Sequence, residues 1–353
     1  MDISLSHRTL HFLKPARTSR GEYVTHDAII VTIRDDEGRR IGLGECAPLP
    51  DLSMDRDAYK RMSDVAALIE EAMGSPDYSE VLRPYPALLF ALESAMYDYR
   101  QSPLLYGTPF ARSEEGIPLN GLVWMSDYDD MLSQVKRKIV QGFRCIKLKI
   151  GALDWDEELH LIRTIRSRFS REALELRVDA NGAWDVNEAE EKMRLLSDYG
   201  IHSIEQPIAP YRWREMARLC RMERERAERG ERSLPVALDE ELIGVTFHEE
   251  KRVMLETIRP QYIVVKPTMH GGIIGTMEWV AEARRLGIGS WLTSALESNI
   301  GLRNVALLSA CLYGPHVTFP QGLGTGMLYA DNIEMDMELR GNRMWRARVE
   351  EAG

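Results

Sequence analysis

Five charged side chains stand at the ends of successive short apolar segments, in the order Lys, Asp, Glu, Asp, Lys. They are Lys149, Asp179, Glu205, Asp239 and Lys266, and the intervals between neighbours run from 26 to 34 residues. That length accommodates one strand and one helix, so parallel strands would bring all five groups to one edge of a sheet. A solvated strand end is a sufficient interpretation of any one of them, but five in succession indicate a functional site.

Three of these groups, Asp179, Glu205 and Asp239, are carboxylates that would repel one another if no cation lay between them. Because neither His nor Cys accompanies them, the oxygen ligands favour Mg²⁺, with Mn²⁺ as a possible substitute. Lys149 becomes a base if burial and the neighbouring Lys147 lower its pKa. A metal and a lysine base are typical of proton removal next to a carboxylate, since the metal stabilises the enediolate. The sequence therefore predicts an enzyme for a small anionic carboxylate substrate.

The elements that position these groups follow from an alternation that begins at Ile117, where short apolar runs alternate with amphipathic stretches of helix length. Eight strands with seven intervening helices predict a parallel sheet, which closes naturally into a barrel. A doubly wound open sheet is the alternative, but no run leads into a GxGxxG or GxxxxGK[ST] turn. The eight runs are residues 117–124, 143–150, 174–179, 201–205, 234–239, 262–266, 288–294 and 317–320.

Alternation within these runs predicts which side chains point into the barrel. In the second run Ile146 and Leu148 share one face, and Lys147 and Lys149 share the other. The apolar faces must pack on the outer helices, so the charged residues are expected inside, at the carboxyl ends of the strands.

The first 115 residues have a different rhythm. Residues 25–33 alternate, a turn follows at 35–38, and 41–46 resume the alternation, which predicts a hairpin. Residues 55–73 and 86–101 are expected to be helical, the second helix beginning at Pro86. This region is predicted to be an α+β unit.

The composition excludes several classes of protein. The chain has 353 residues with 45 Lys plus Arg, 55 Asp plus Glu, and a net charge of −10, which argues against nucleic acid as a partner. No run approaches 18 apolar residues, and the N-terminus lacks a secretion signal, so no membrane partner is expected. The four cysteines show no CxxC spacing, which argues against structural zinc and fits reduced thiols of a cytoplasmic protein. The oligomeric state is not predicted.

Five short motifs resemble the motif series of the enolase superfamily, muconate-lactonizing subgroup. They are Lys147-Leu148-Lys149, Asp179-Ala180-Asn181, Glu205-Gln206-Pro207, Asp239-Glu240 and Lys266-Pro267. The resemblance implies an α/β fold with a (β/α)7β modified TIM barrel over residues 116–325, an N-terminal α+β capping domain over 1–115, and a C-terminal tail over 326–353 that returns to the cap. Asp179, Glu205 and Asp239 are then the metal ligands, and Lys149 and Lys266 are the catalytic lysines. The residues expected to support these ligands by hydrogen bonds are Asn181, Gln206 and Glu240.

Three further stretches resemble the o-succinylbenzoate synthases within that subgroup. Residues 294–301 are similar to their serine-rich loop, which N-acylamino acid racemases share, although Asn299 departs from the commoner Ser-Ser pair. Residues 15–21 resemble the loop that covers the substrate, and residues 44–50 resemble a second cap loop. The substrate-binding residues that the resemblance implies are Lys147, Ser294, Ser298, Thr18, Ser19 and Arg20.

The resemblance implies a metal-dependent syn dehydration of 2-succinyl-6-hydroxy-2,4-cyclohexadiene-1-carboxylate to 2-succinylbenzoate, a step of menaquinone biosynthesis. Lys149 would remove the α-proton, and Lys266 would contribute positive charge near the ring. An N-acylamino acid racemase or dipeptide epimerase would instead use the two lysines as opposing bases. Residues 319–322 lack the Asp-x-Asp that dipeptide epimerases usually carry there. A non-catalytic metal-binding barrel is a third possibility, although binding alone needs no base.

Overall fold

The N-terminal sheet of the computed structural model, which describes residues 2–18, 21–151, 153–324 and 328–347, is antiparallel. Its strands, in spatial order, are β1 (Asp2–Thr18), β2 (Gly21–Arg34) and β3 (Ile41–Cys46). The predicted hairpin is confirmed, and Asp35 closes its turn by accepting a hydrogen bond from Arg39 N at 2.8 Å. The sequence reading did not assign β1, whose side chains are mostly exposed along its length.

Helices cover one face of this sheet. They are α1 (Met62–Gly74), α2 (Tyr78–Leu82), α3 (Pro86–Arg100) and α4 (Pro103–Tyr106), preceded by a 3₁₀ turn at Arg56–Tyr59. Helix α3 begins at Pro86 as predicted, because proline fits the first helical position. The helix expected over residues 55–73 is divided into the 3₁₀ turn and α1. Asp55 contributes to this division, since its carboxylate accepts the N–H of Ala87 at 2.9 Å and so holds the turn against α3.

A curled parallel sheet forms the second region within the described residues. After β4 (Ile117–Pro118), its strands are β5 (Gly121–Val123), β6 (Cys145–Lys149), β7 (Glu175–Asp179), β8 (Ser203–Glu205), β9 (Val236–Leu238), β10 (Tyr262–Val265) and β11 (Gly289–Leu292). Strands β5 to β11 lie side by side in sequence order, each parallel to the next. The predicted α/β class, a modified TIM barrel with an N-terminal cap, is confirmed.

The helices between these strands form the outer layer of the barrel. They are α5 (Tyr128–Val140), α6 (Trp155–Arg166), α7 (Val186–Leu196), α8 (Trp213–Glu228), α9 (His248–Ile258), α10 (Gly272–Arg285) and α11 (Asn299–Tyr313). Asp127, Asp154 and Asp185 cap α5, α6 and α7, because each carboxylate accepts a backbone N–H of the first helical turn. Local sequence thus starts these helices close to where each preceding strand ends.

The ends of the predicted strand series are corrected by the structure. Residues 117–124 do not form one strand, since β4 leaves the barrel and pairs with the C-terminal hairpin of β12 (Met337–Arg340) and β13 (Arg343–Arg346). Residues 317–320 form no strand, partly because Pro320 has no N–H to donate. The barrel closes through Gln321 and Gly322, whose N–H groups donate to Pro118 O at 2.9 Å and to Leu292 O at 2.8 Å.

The predicted alternation of faces is confirmed by packing. Ile146 and Leu148 belong to the core between sheet and helices. Ala237, Val264 and Trp291 form a separate apolar layer inside the barrel. Arg177 is buried in the same interior, with its guanidinium carbon 4.5 Å from the Trp291 ring centroid. The inward faces therefore carry apolar and charged groups in layers below the mouth.

Cap and barrel are joined at several points. Arg83 of the cap donates to both carboxylate oxygens of Glu278 on α10, at 3.1 and 2.9 Å. The C-terminal segment also reaches the cap, where Leu13 N donates to Leu328 O and Ala330 N to His11 O, each at 2.8 Å. The boundaries at residues 115 and 325 stay predictions. Among the described residues, no helix combines the length and the apolar character that crossing a bilayer requires.

Gly44 shows how closely β3 approaches α3, since a Cβ at this position would overlap the carbonyl oxygen of Ala91. We expect Gly44→Ala to lower the free energy of unfolding by about 1–3 kcal/mol or more, the usual cost of overpacking. Gly74→Ala is the matched control, because Gly74 ends α1 and a Cβ added there would meet no other group within 4 Å. Thermal unfolding of both variants tests this, and an equal melting temperature for the two would contradict it.

Candidate active site

The predicted charged residues meet at the carboxyl ends of the barrel strands. Lys149, Asp179 and Glu205 are direct neighbours in the register of β6, β7 and β8. Asp239 and Lys266 immediately follow β9 and β10. The parallel sheet thus brings together residues that are far apart in sequence, as the spacing predicts.

Asp179, Glu205 and Asp239 each contact at least one lysine. Lys147 Nζ lies 2.8 Å from Asp179 Oδ2 and 2.6 Å from Glu205 Oε1. Lys149 Nζ lies 2.8 Å from the same Asp179 oxygen. The ammonium group of Lys266 contacts both oxygens of Asp239. Three adjacent carboxylate-bearing positions therefore lie at the mouth between the lysines of β6 and the lysine that follows β10.

Burial makes these charges strongly interdependent. Although burial alone would raise it, the pKa of Asp179 is held below its usual range by Lys147 and Lys149. Asp239 is held low in the same way, chiefly by Lys266. Glu205 differs, because burial and the Asp179 charge raise its pKa well above the usual value despite Lys147. Glu240, buried in the same pocket, also has its pKa raised by burial and by Asp239, so four carboxylates share three lysines at the mouth.

The donor chemistry suits a divalent cation, although the spacing does not yet enclose one. Within the described ranges, no set of three or more His, Cys, Asp or Glu side chains is spaced to hold a metal, since the Lys147 ammonium lies between Asp179 and Glu205. Glu205 Oε2 and Glu240 Oε2 are buried without a hydrogen-bond partner in this part of the chain. Buried oxygen atoms of this kind are costly unless a cation or donor reaches them. The residues fit Mg²⁺ if Lys147 withdraws.

The predicted supporting residues hold these groups through hydrogen bonds. Asn181 accepts from Lys149 Nζ at 2.6 Å and donates to Glu240 Oε1 at 2.9 Å. Gln206 Oε1 accepts the N–H of Asp239 at 3.2 Å. Asn181 and Gln206 have backbone φ angles of 46° and 41°, in the left-handed region that residues other than glycine seldom adopt. Such backbone strain is concentrated at functional sites, which is consistent with a site here.

Of the two serines predicted to bind substrate from the serine-rich loop, Ser294 lies at the pocket and Ser298 does not. Ser294 lines the pocket above the charged residues, and its hydroxyl donates to Gly322 O at 3.1 Å. Ser298 was expected to bind substrate, but it is completely buried at the N-cap of α11. Its hydroxyl donates to Glu45 at 2.5 Å and accepts from Ile300 N. We correct its assignment, because a helix cap and a buried carboxylate already engage that hydroxyl.

The predicted cap-loop residues cannot be placed in the site. Ser19 and Arg20 lie outside the described residues, and Thr18 is described only in its backbone, as the last residue of β1. Their contact with substrate stays a prediction.

The pocket over the charged residues lies between barrel and cap. Tyr23, Leu49 and Leu52 line it from the cap side, and Trp124 lines it from the barrel side. The sequence reading includes Leu49 in the second cap loop but misses Tyr23 and Trp124 as site residues. Trp124 ends the first apolar run of the barrel. Because residues at the ends of these runs are expected at the mouth, the same criterion that selects the lysines also selects Trp124. Tyr23 carries no such signal, because only the docking of the cap brings it to the mouth.

Comparison with known proteins gives the site its family context. The sequence model of the family described as enolase C-terminal domain-like matches residues 130–341. This span is more than half of the chain and contains every charged residue described above at the mouth.

Individual relatives extend the similarity to the whole chain. The curated o-succinylbenzoate synthase of Desulfotalea psychrophila is 40% identical over 97% of this chain and 98% of its own. The crystal structure of MenC from the same organism has a TM-score of 0.76 and 35% identity, and the match covers 98% of this chain and 99% of that one. A curated L-Ala-D/L-Glu epimerase of Bacillus subtilis is 25% identical over 87% of this chain and 84% of its own.

Asn299 provides a test of how the loop is held. Its amide donates to Ile333 O at 2.8 Å, toward the C-terminal segment. Its Oδ1 also accepts from Asn332 Nδ2 at 3.3 Å. We expect Asn299→Ala to lower the free energy of unfolding by about 1–2 kcal/mol, a typical range for two lost hydrogen bonds, and to leave substrate KM unchanged. Asn187→Ala, an exposed position in the first turn of α7, is the control for stability. A raised KM with unchanged stability would show that Asn299 faces the substrate.

Proposed function

Because the chain belongs to the enolase superfamily, we propose that it catalyses the metal-dependent syn dehydration of 2-succinyl-6-hydroxy-2,4-cyclohexadiene-1-carboxylate to 2-succinylbenzoate, a step of menaquinone biosynthesis. The observation that carries the proposal is that Lys149 and Lys266 line one pocket, from strands separated by the three carboxylate-bearing strands. Lysines placed on both sides of a set of carboxylate ligands are the groups that an enzyme needs to remove a proton next to a carboxylate. A cytoplasmic location, with no nucleic-acid or membrane partner, completes the proposal.

Lys149 is the base in this proposal. Its amine takes the α-proton, and the resulting Lys149 ammonium then returns that proton to the departing hydroxyl, which leaves as water. Since loss of proton and hydroxyl is syn, one base on one face suffices. Hydrogen bonds to Asp179 and Asn181 fix the position of the Lys149 amine, so it enters the reaction already oriented.

In this proposal Lys266 and Lys147 act through their positive charge and transfer no proton. Lys266 contributes positive charge opposite Lys149, where it stabilises the anion that proton removal creates. Lys147 orients the substrate carboxylate. Mg²⁺, or Mn²⁺ in its place, would be held by Asp179, Glu205 and Asp239, and when bound it supplies Lewis-acid stabilisation of that anion.

The cap, together with Trp124 of the barrel, is proposed to exclude water from the reacting groups. Tyr23, Leu49, Leu52 and Trp124 give the pocket an apolar upper wall, which suits a ring that becomes aromatic in the product. A dry pocket also strengthens each charge interaction below it. Thr18, Ser19 and Arg20 are proposed to complete this wall as substrate-binding residues, together with Ser294.

An N-acylamino acid racemase or dipeptide epimerase is the second candidate, because two lysines facing one pocket also suit proton exchange on both faces. The segment that closes the barrel disfavours the epimerase. Phe319 packs inside the barrel 4.4 Å from the Arg177 guanidinium, and Gln321 is fully buried, accepting Leu292 N at 2.8 Å. Neither residue offers a carboxylate to a substrate amine. A non-catalytic metal-binding barrel is disfavoured by the retention of both lysines.

Two assays on one preparation decide between these functions. Ultraviolet absorbance follows the aromatic product from the cyclohexadiene substrate, and polarimetry follows racemisation of N-succinyl amino acids. Dehydration without racemisation supports the proposal. Racemisation without dehydration overturns it and leaves the family assignment unchanged.

The metal ligands can be tested by binding. Asp179→Asn, Glu205→Gln and Asp239→Asn are each expected to weaken Mg²⁺ binding at least about tenfold, since each removes a charged oxygen ligand. Isothermal titration measures the affinity, and dehydration is expected to be lost in all three. Glu223→Gln is the control, because that buried carboxylate lies outside the mouth and accepts a hydrogen bond from Leu234 N. Unchanged Mg²⁺ affinity in all three variants would remove the ligand assignment.

The two lysines should differ in proton exchange. Lys149→Ala is expected to lower kcat about 10²–10⁴-fold, the contribution of a positioned base, and to abolish exchange of the substrate α-proton with deuterium. Lys266→Ala is expected to lower kcat as well but to retain slow exchange, because it loses only electrostatic stabilisation. Proton NMR in D₂O measures the exchange.

The racemase alternative predicts a different pattern for the same variants. Each would keep exchange from one enantiomer of an N-acyl amino acid and lose it from the other. That stereospecific pattern would reassign Lys266 as a second base.

A further inference from the structure

Glu45 belongs to the N-terminal domain, but it binds the N-terminus of the barrel helix α11. It lies fully buried in β3, where its carboxylate accepts Ser298 N at 2.8 Å, Ser298 Oγ at 2.5 Å and Gly301 N at 2.7 Å. These donors form the N-terminus of α11, whose unpaired N–H groups favour a negative partner. The loop just before α11 lines the pocket and contains Ser294. Glu45 thus holds the end of an active-site loop from another region of the chain.

Glu297 connects this loop with the one that carries Lys266. It is fully buried, and its Oε2 accepts Ala295 N at 2.6 Å. Its other oxygen accepts the hydroxyl of Thr268, two residues after Lys266. The loops after β10 and β11 are therefore joined directly through one carboxylate.

The two carboxylates lie close together around the first turn of α11. A Cβ at Gly301 would lie 2.6 Å from Glu297 Cβ and 3.0 Å from Glu45 Oε2, so only glycine fits between them. Burial raises the pKa of Glu45 to about 7, and the nearby Glu297 adds to the rise. Two buried acids in contact with loops of the pocket are an expensive arrangement for stability alone, which points to a role in placing those loops.

A similar contact holds the other side of the Lys266 loop. Glu93 of α3 is buried and accepts Ile273 N at 2.5 Å and Ile274 N at 3.2 Å, at the N-terminus of α10. A Cβ at Gly272 would overlap the Glu93 carboxylate, so glycine permits this approach. Two cap residues therefore bind the N-termini of two barrel helices. Glu93 binds α10, which follows the loop with Lys266, and Glu45 binds α11, which follows the loop with Ser294.

Resting on the proposed function, we propose that Glu45 and Glu297 are positioning residues for the reaction. Through Ser298 and Thr268 they fix the loops that carry Ser294 and Lys266 relative to the cap. The physical reason is that a displacement of about 1 Å at a catalytic group lowers the rate up to about 10²-fold. Neither carboxylate is assigned a contact with substrate in this proposal.

The closing experiment removes single hydrogen bonds from this chain of contacts. Thr268→Val replaces the hydroxyl by a methyl group of similar size, and Thr268→Ser keeps the hydroxyl but loses the methyl group. Thr276→Val is the matched control, because Thr276 is equally buried and its hydroxyl donates within α10, to Gly272 O at 2.7 Å. Glu45→Gln tests the cap end independently, since an amide cannot accept at both of its polar atoms.

We expect Thr268→Val and Glu45→Gln to lower kcat about tenfold or more with a smaller change in KM, because misplaced catalytic groups reduce the rate. Thr268→Ser should stay close to wild type, and Thr276→Val should change kcat less than about twofold, as expected for a position remote from the reacting groups. A purely structural role would give the reverse order, with Ser more impaired than Val at residue 268.

Amide hydrogen exchange gives a readout that needs no substrate. Peptides covering residues 266–272 and 293–301 should exchange faster in Thr268→Val and Glu45→Gln than in Thr276→Val. Unchanged protection and unchanged kcat in both test variants would overturn the proposal, even if Glu45→Gln alone failed to fold, because Thr268→Val stands by itself. If the wild type forms no aromatic product, the proposed function fails while the exchange comparison still decides this inference.

Discussion

The burial of opposite charges at one end of the barrel is the constraint on which the rest of the structure depends. Three lysines and four carboxylates, counting Glu240, are largely removed from water there, and each is tolerable only because a partner lies within hydrogen-bond distance. That requirement fixes the register of neighbouring strands, since a shift by one residue would turn each charged group toward the helices. The partly unneutralised carboxylates leave the mouth with a demand for a further cation, and this demand links the fold to the proposed chemistry.

The cap meets a second requirement, which is to cover charged groups without filling the space that a substrate needs. Its apolar side chains line the pocket from above, and its buried acids Glu93 and Glu45 accept backbone N–H groups at the starts of α10 and α11. The contacts leave no room for a Cβ at three glycines: Gly44 faces the backbone of α3, Gly272 faces the Glu93 carboxylate, and Gly301 lies between Glu297 and Glu45. The loop that follows Lys266 is thus held from two sides, by its own strand and by the cap contact at the start of α10.

Sequence reasoning succeeded where physical rules act locally. Period-two alternation assigned the inward faces of the strands, and the length of one strand plus one helix placed Lys149, Asp179, Glu205, Asp239 and Lys266 at one edge. It failed at the ends of the barrel, because in the described part of the chain the last segment contributes only Gln321 and Gly322 to the closing contacts. It also failed at Ser298, whose hydroxyl donates to a cap residue 253 positions away. No local pattern reports a partner at that distance.

The sequence by itself determined the class of fold, the five charged groups at the mouth and the resemblance to a family, because each is encoded in residue type and spacing. The tertiary structure alone decided which lysine binds which carboxylate, that Tyr23 and Trp124 wall the pocket, and that Glu45 and Glu297 tie the loops to the cap. The physical reason is that distances between side chains on different elements are set by packing, since a few tenths of an ångström separate a hydrogen bond from an overlap.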